Sequence, residues 1–233
     1  MVKDLDDSIS PELLPVLESA ARLQELVPDA VLVGGTVAAL YAGHRMSYDH
    51  DHVVSDLRQR FDLVLDALDR EPDWVLNRAT PGKIILGELG EIEAGVRQLI
   101  RTRPLETQEV GLPSGHRVVV PTRDEILRIK AFLIVRRNQT RDFLDVAALS
   151  EKYGFEHAAS VLSAIDRWYA DESKDGVPVS TQLARQLASP HPADLSKVNL
   201  ATYKRLSERW HTWDSVKDQV QRVAAHMSFS EEG

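Results

Sequence analysis

The stretch VLVGGTVAALYAGHRMSYDHDHV, from Val31 to Val53, restricts the fold of this chain more than any other. Ala30–Val33 is short, apolar and β-branched, the pattern of a central buried strand. Gly34 and Gly35 let the backbone turn tightly and approach a ligand closely. A short helix over Thr36–Ala42 would then aim free N–H groups and the positive end of its dipole at a bound anion. A second strand follows over Ser47–Val53. Asp49 and Asp51 stand two residues apart, so both carboxylates point to one face of that strand. A phosphate cradle beside paired carboxylates is what metal-dependent chemistry on a nucleoside triphosphate requires.

Two carboxylates on one strand face repel each other unless a cation joins them. Hard oxygen ligands suit Mg²⁺, which keeps waters and takes substrate phosphates as further ligands. The plainer alternative is an exposed strand-end pair, common in any acidic protein. A third carboxylate is expected on a neighbouring strand, Glu91–Ile100, where Glu91 and Glu93 alternate on one face. Glu93 is preferred because it lies deeper in the strand. His44, His50 and His52 offer a competing transition-metal reading. Strand alternation, however, turns His50 and His52 away from the Asp face.

A second block lies further along: Lys130-Ala-Phe-Leu-Ile-Val-Arg136-Arg137, then Arg141-Asp142-Phe-Leu-Asp145-Val. Lys130 falls in an apolar helix with Ile126, Ile129, Phe132 and Leu133, where it either does chemistry or snorkels to water. Asp145, three residues after Asp142, shares its helix face and can orient Lys130 or line a nucleotide pocket. Arg136, Arg137 and Arg141 face an acceptor or phosphate, or belong to a solvated turn.

Gly34-Gly35-Thr36 with Arg45-Met-Ser47-Tyr-Asp49-His-Asp51, followed by the Lys130 and Arg141–Asp145 block, resembles the signature of the DNA polymerase beta-type nucleotidyltransferase superfamily. Within it the pattern is most similar to the AbiEii/AbiGii toxin family, which includes the MenT toxins. The resemblance covers roughly residues 30 to 155. It implies an α+β fold, a small mixed sheet with flanking helices and a helical C-terminal half. It also implies transfer of NMP from an NTP to a hydroxyl, by a toxin acting on the tRNA 3′ end and paired with a cognate antitoxin. By the same resemblance Gly34, Gly35, Thr36, Arg45 and Ser47 bind the nucleotide, Asp49, Asp51 and Glu93 hold Mg²⁺, and Lys130 and Asp145 join Asp49 and Asp51 as catalytic groups. Nucleotidyl transfer to a protein or an antibiotic, or a noncatalytic nucleotide- or partner-binding role, are the alternatives. His50 and His52 depart from the family, which has aliphatic residues there, and Gly95 and Arg97 blur the register of the third-carboxylate strand.

Composition bounds the rest. With 233 residues, no cysteine and a net charge of −8, disulfides and thiolate chemistry are excluded, and nonspecific nucleic-acid binding by the whole surface is disfavoured. Residues 94–150 nevertheless hold ten Lys/Arg against six Asp/Glu, a local +4 that could meet a triphosphate or an RNA backbone. No apolar run approaches a membrane span, and MVKDLDDSIS lacks the form of a signal peptide, so a cytoplasmic location without membrane contact is expected.

Elsewhere, Ser10-Pro11 predicts a helix start running to about Val27, and Ser55 the cap of a helix through Asp69. Strands are predicted at Lys83–Leu86, Glu91–Ile100 and Arg117–Val120. After Pro121 the pattern turns helical: Thr122–Arg137, Arg141–Tyr153, Glu156–Tyr169, and a last helix near Asp214 burying Val216, Val220 and Val223. The predicted division is a nucleotidyltransferase core over 1–120 and a helical region over 121–233. The polar segment at 171–179 is a further candidate boundary. Trp168, Trp210, Trp213, Tyr169 and Tyr203 are read as packing residues.

Overall fold

The computed structural model describes residues 9–228; the first eight, on which much of the targeting expectation rests, lie outside them. The chain divides into two compact units, Met1–Thr122 and Arg123–Gly233.

The first unit is α+β. Its elements are α1 (Leu14–Leu26), β1 (Val31–Val33), α2 (Gly34–Ala42), β2 (Asp49–Val54), α3 (Leu57–Asp69), β3 (Trp74–Thr80), β4 (Ile84–Leu89), β5 (Ile92–Gln98), β6 (Thr107–Gly111) and β7 (Arg117–Pro121). Five strands form a sheet in the order β1-β2-β5-β4-β3, while β6 and β7 pair separately. Only β2 and β5 run parallel; the other pairs are antiparallel. The sheet is therefore small and mixed, as expected.

One face of the sheet carries the core. Leu23 and Val27 of the α1 region and Leu57, Phe61, Val64 and Leu68 of α3 pack on Ile85, Leu89, Ala94 and Val96. Each of the larger side chains among them contributes about 1.5–3 kcal/mol by leaving water, which fixes the sheet's inward face. The alternate residues of β2 and β5 are thereby pushed to the opposite, open face.

Four local expectations need correction. The first strand lies at the sheet edge, because three β-branched or apolar residues report burial, not position. Helix α1 begins at Leu14 with Pro15 in its first turn, and the Ser10 hydroxyl bonds Glu12 instead of capping. Ser55 does not cap α3: the helix starts at Leu57, and the Arg58 amide is satisfied by Gln98 Oε1. Glu91 sits in the turn between β4 and β5, because β4 extends to Leu89. Strands β3 and β6 escape a hydrophobic pattern: Val75 to Arg78 on the edge strand are all exposed, and β6 buries only Val110.

The second unit is helical: α4 (Arg123–Arg137), α5 (Thr140–Tyr153), α6 (Phe155–Ser163), α7 (Asp166–Tyr169), α8 (Val179–Ala188) and α9 (Trp213–His226). The single helix expected over Glu156–Tyr169 breaks between Ser163 and Asp166. The polar 171–179 segment lies inside this unit. Val216, Val220 and Val223 of α9 are fully buried. No helix among the described residues is long and apolar enough to cross a membrane.

Candidate active site

The first unit builds the site around the start of α2. The helix opens directly at Gly34, whose φ of +81° is strained for any residue with a Cβ. A Cβ on Gly35 would stand 2.8 Å from both Arg45 Nη2 and Ser47 Oγ. A guanidinium and a hydroxyl therefore lie directly over the first helical turn, where backbone N–H groups and the helix dipole also favour an anion. The structure thus gathers Gly34, Gly35, Arg45 and Ser47.

Thr36 is placed differently from the expectation. Because the helix starts two residues earlier, Thr36 turns inward, is buried, and donates its hydroxyl to the Asp49 carbonyl at 2.5 Å. It braces α2 against β2 and does not cap the helix.

The parallel register of β2 and β5 sets Asp49 opposite Glu93, Asp51 opposite Gly95 and Val53 opposite Arg97. Directly paired residues share a sheet face, so Asp49, Asp51, Glu93 and Arg97 all stand on the open one. Glu88 of β4, opposite Glu93, continues this acidic row. It went unnoticed in the sequence because its strand was expected to end at Leu86. Ser47 Oγ donates to Asp49 Oδ1 at 2.7 Å, and Arg97 Nε donates to Asp51 Oδ1 at 3.1 Å. The Asp51 carboxylate lies over Gly95: a Cβ there would be 2.7 Å from Asp51 Oδ1.

The donor set suits a hard cation. Two carboxylates share one face, and the Arg97 guanidinium already stands against one of them in the place of a cation. Among the described residues no three His, Asp or Glu side chains are grouped to cage an ion. Asp49 and Asp51 are the carboxylates placed to hold such an ion, whose shell water and substrate phosphate could complete.

His50 and His52 face the core, as alternation requires, and are 1% and 0% exposed. Their rings meet edge to face with centroids 5.2 Å apart, and His50 Nε2 lies 3.0 Å from Ser19 Oγ. Burial lowers the His50 pKa from 6.5 to about 4, partly opposed by the Asp49 charge. His52 is driven well below its ordinary value by burial and then by His50. They are neutral core residues, not ligands on the carboxylate face. His44 is buried too.

In the second unit Lys130 Nζ meets Asp145 Oδ2 at 2.7 Å, with both side chains buried. Lys130 therefore does not snorkel to water. Arg137 makes two hydrogen bonds to Asp142, at 2.6 and 2.7 Å. Arg128 pairs with Glu125 and lies 3.9 Å above the Trp168 ring.

Several cations of residues 94–150 stand in such pairs, most of them with acids of the same segment, so its net positive excess remains. Arg117 binds Glu109, Arg136 approaches Glu172, and buried Arg101 donates to the carbonyls of Arg103 and Pro104. The aromatics pack as expected: Trp210 is buried, Trp213 meets Phe143 edge to face, and Tyr169 stacks on Phe132.

No protein-family model matches the chain. In sequence it is 30% identical over 243 residues to the heme uptake protein MmpL11 of Mycobacterium tuberculosis, covering 94% of this chain and 23% of that protein. It is also 30% identical over 229 residues to the mycolic acid-containing lipids exporter MmpL11 of Mycolicibacterium smegmatis, covering 93% and 22%. The chain spans under a quarter of the length of these curated relatives.

In structure it resembles MenT4, the nucleotidyltransferase toxin Rv2826c of M. tuberculosis, with a TM-score of 0.61 at 16% identity over 92% of this chain and 82% of that one. JHP933 from Helicobacter pylori follows at TM-score 0.52 and 16% identity, covering 94% of each chain. The antibiotic-resistance factor ANT(2″)-Ia gives 0.50 at 12% identity over 69% of this chain and 95% of its own. The chain has the nucleotidyltransferase fold.

Proposed function

We propose that this chain is a Mg²⁺-dependent nucleotidyltransferase of the AbiEii/AbiGii type, moving NMP from an NTP to a hydroxyl and releasing pyrophosphate. One observation carries the reading: Asp49 and Asp51 share the open sheet face, beside a helix N-terminus overlaid by Arg45 and Ser47. In this reading Gly34 and Gly35 bring the backbone to the triphosphate, and Arg45 and Ser47 hold its charge. The acceptor oxygen bonds to the α-phosphorus, the bond to the β-phosphate oxygen breaks, and the acceptor proton passes to a carboxylate of the site. A bound Mg²⁺ supplies charge neutralisation at the transferring phosphorus and activates the attacking hydroxyl. By resemblance Lys130, oriented by Asp145, serves the triphosphate or the acceptor proton. Glu93 stands next to Asp49 as an additional carboxylate, and use of NTP favours a cytoplasmic site of action.

For the acceptor, the resemblance of the sequence to the AbiEii/AbiGii toxins implies the tRNA 3′ end and a cognate antitoxin. The test is to incubate the protein and Mg²⁺ with each NTP labelled at the α-phosphate, together with total tRNA, total protein and an aminoglycoside. Labelled tRNA is expected. Label on protein or on the antibiotic would move the acceptor and keep the chemistry.

A second reading has its own observation: similarity over nearly the whole chain to a segment of transport proteins. On that reading the fold is a noncatalytic nucleotide- or partner-binding module associated with transport. Nucleotide binding with no pyrophosphate released on any acceptor would favour it.

A further inference from the structure

The nucleotidyl-transfer reading leaves Arg97, on the open face, without a role. It stands two residues beyond Gly95 on β5, on the same face as Asp51, and its Nε donates to Asp51 Oδ1 at 3.1 Å. The two side chains are 46% and 33% exposed. The neighbouring carboxylate, Asp49, is held by the neutral Ser47 hydroxyl. The two members of the pair are thus treated differently: one keeps its full charge for a cation, the other already has one.

The local fold makes that pairing possible. A Cβ at position 95 would collide with Asp51 Oδ1 at 2.7 Å and with Leu86 Cδ2 at 2.9 Å. The bare backbone of Gly95 lets the carboxylate lean across β5 towards Arg97. A single hydrogen bond between half-exposed partners is a weak ion pair, readily exchanged for a stronger one. A divalent ion arriving at Asp51 meets a positive charge within a few ångströms of its site. In water-like surroundings that repulsion is modest but measurable. Nucleotide brings the opposite charge, and a guanidinium is well shaped to donate to phosphate oxygens.

We infer that Arg97 is the resident counter-cation of Asp51, which a divalent ion must displace, so that the protein holds metal poorly alone and well together with nucleotide. This rests on the assignment of Asp49 and Asp51 as metal ligands. Arg97 acts through Asp51 and is a positioning residue.

The experiment is a Mn²⁺ titration followed by electron paramagnetic resonance, without nucleotide, on the intact chain and on Arg97→Gln, Arg97→Lys and Asp51→Asn. Arg97→Gln should bind Mn²⁺ about five- to ten-fold more tightly than the unaltered protein, from removal of one nearby charge. Arg97→Lys, which keeps the charge, should remain within about two-fold of it. With a non-hydrolysable NTP analogue present, the difference between Arg97→Gln and the unaltered protein should shrink, because the triphosphate then engages the guanidinium. Equal or weaker Mn²⁺ binding by Arg97→Gln, with binding lost in Asp51→Asn, would overturn the role of Arg97 alone. Mn²⁺ binding indifferent to Asp51→Asn would overturn the metal site and this inference with it. Circular dichroism of each variant separates these outcomes from loss of fold.

Discussion

Gly95 leaves open the space that the Asp51 carboxylate occupies: a Cβ at position 95 would stand 2.7 Å from Asp51 Oδ1. Gly95→Ala should therefore displace that carboxylate while sparing the fold, because both groups it meets, Asp51 Oδ1 and Leu86 Cδ2, are side-chain ends able to move. The expected cost in stability is about 1 kcal/mol, with nucleotidyl transfer reduced roughly ten-fold or more. Thermal melting and turnover measured on the same preparation check this. Unchanged turnover would show that the Asp51 orientation does not matter.

The Lys130–Asp145 pair gives a stability prediction independent of function. Both side chains are buried, so removing Lys130 takes the ammonium at 2.7 Å away from a buried carboxylate. Lys130→Met should cost about 3–5 kcal/mol. The double variant Lys130→Met/Asp145→Leu should recover much of that loss, because two apolar groups replace two charges. Denaturant midpoints report both. A double variant no more stable than Lys130→Met would contradict the pairing. Activity counts for Lys130 only if it falls further than the folded fraction does.

Thr36→Val removes one hydroxyl and little volume. It should lose the bond to the Asp49 carbonyl, at a cost of about 1 kcal/mol, and leave NTP affinity unchanged. A large drop in nucleotide affinity with an unaltered melting temperature would return Thr36 to the phosphate site.

The buried histidines predict a pH dependence with a definite sign. The His50 pKa is lowered on folding from 6.5 to about 4, so the unfolded chain takes up the proton first. Stability is retained above pH 6.5 and falls as the pH drops from there towards 4. By pH 5 this one group removes about 2 kcal/mol, and His52 acts in the same direction. Carboxylates contribute to acid destabilisation as well, so the comparison is with His50→Leu/His52→Ile. That variant should lose distinctly less stability between pH 7.5 and 5. A parallel loss in both proteins would mean that the histidines are not neutral in the core.

What could be read from the sequence followed from period and chirality. Alternation along one strand was enough to put Asp49 and Asp51 on one side and His50 and His52 on the other, and the buried valines of α9 follow a helical period. The sequence favours Glu93 over Glu91 on a neighbouring strand, but its place directly beside Asp49 could not be read, because it depends on which strand pairs with β2 and in which register. The Arg97–Asp51 contact has the same origin: 46 residues separate the partners, and only the parallel β2–β5 pairing brings them together. Thr36 was misplaced by a two-residue error in where α2 begins, enough to turn a side chain inward. The strand β3 stayed hidden because an edge strand with exposed central residues carries little hydrophobic pattern.

The nucleotidyl-transfer reading stands or falls with the charge on Asp49 and Asp51. Pyrophosphate release from NTP in the presence of Mg²⁺ and the labelled acceptor should be compared between the unaltered chain and Asp49→Asn, with melting temperatures matched. An amide keeps the shape of the carboxylate but not its charge, so release should fall at least about 100-fold, roughly 2.7 kcal/mol of lost transition-state stabilisation, with the fold unchanged. Equal rates of pyrophosphate release from the two proteins at limiting Mg²⁺ would contradict it.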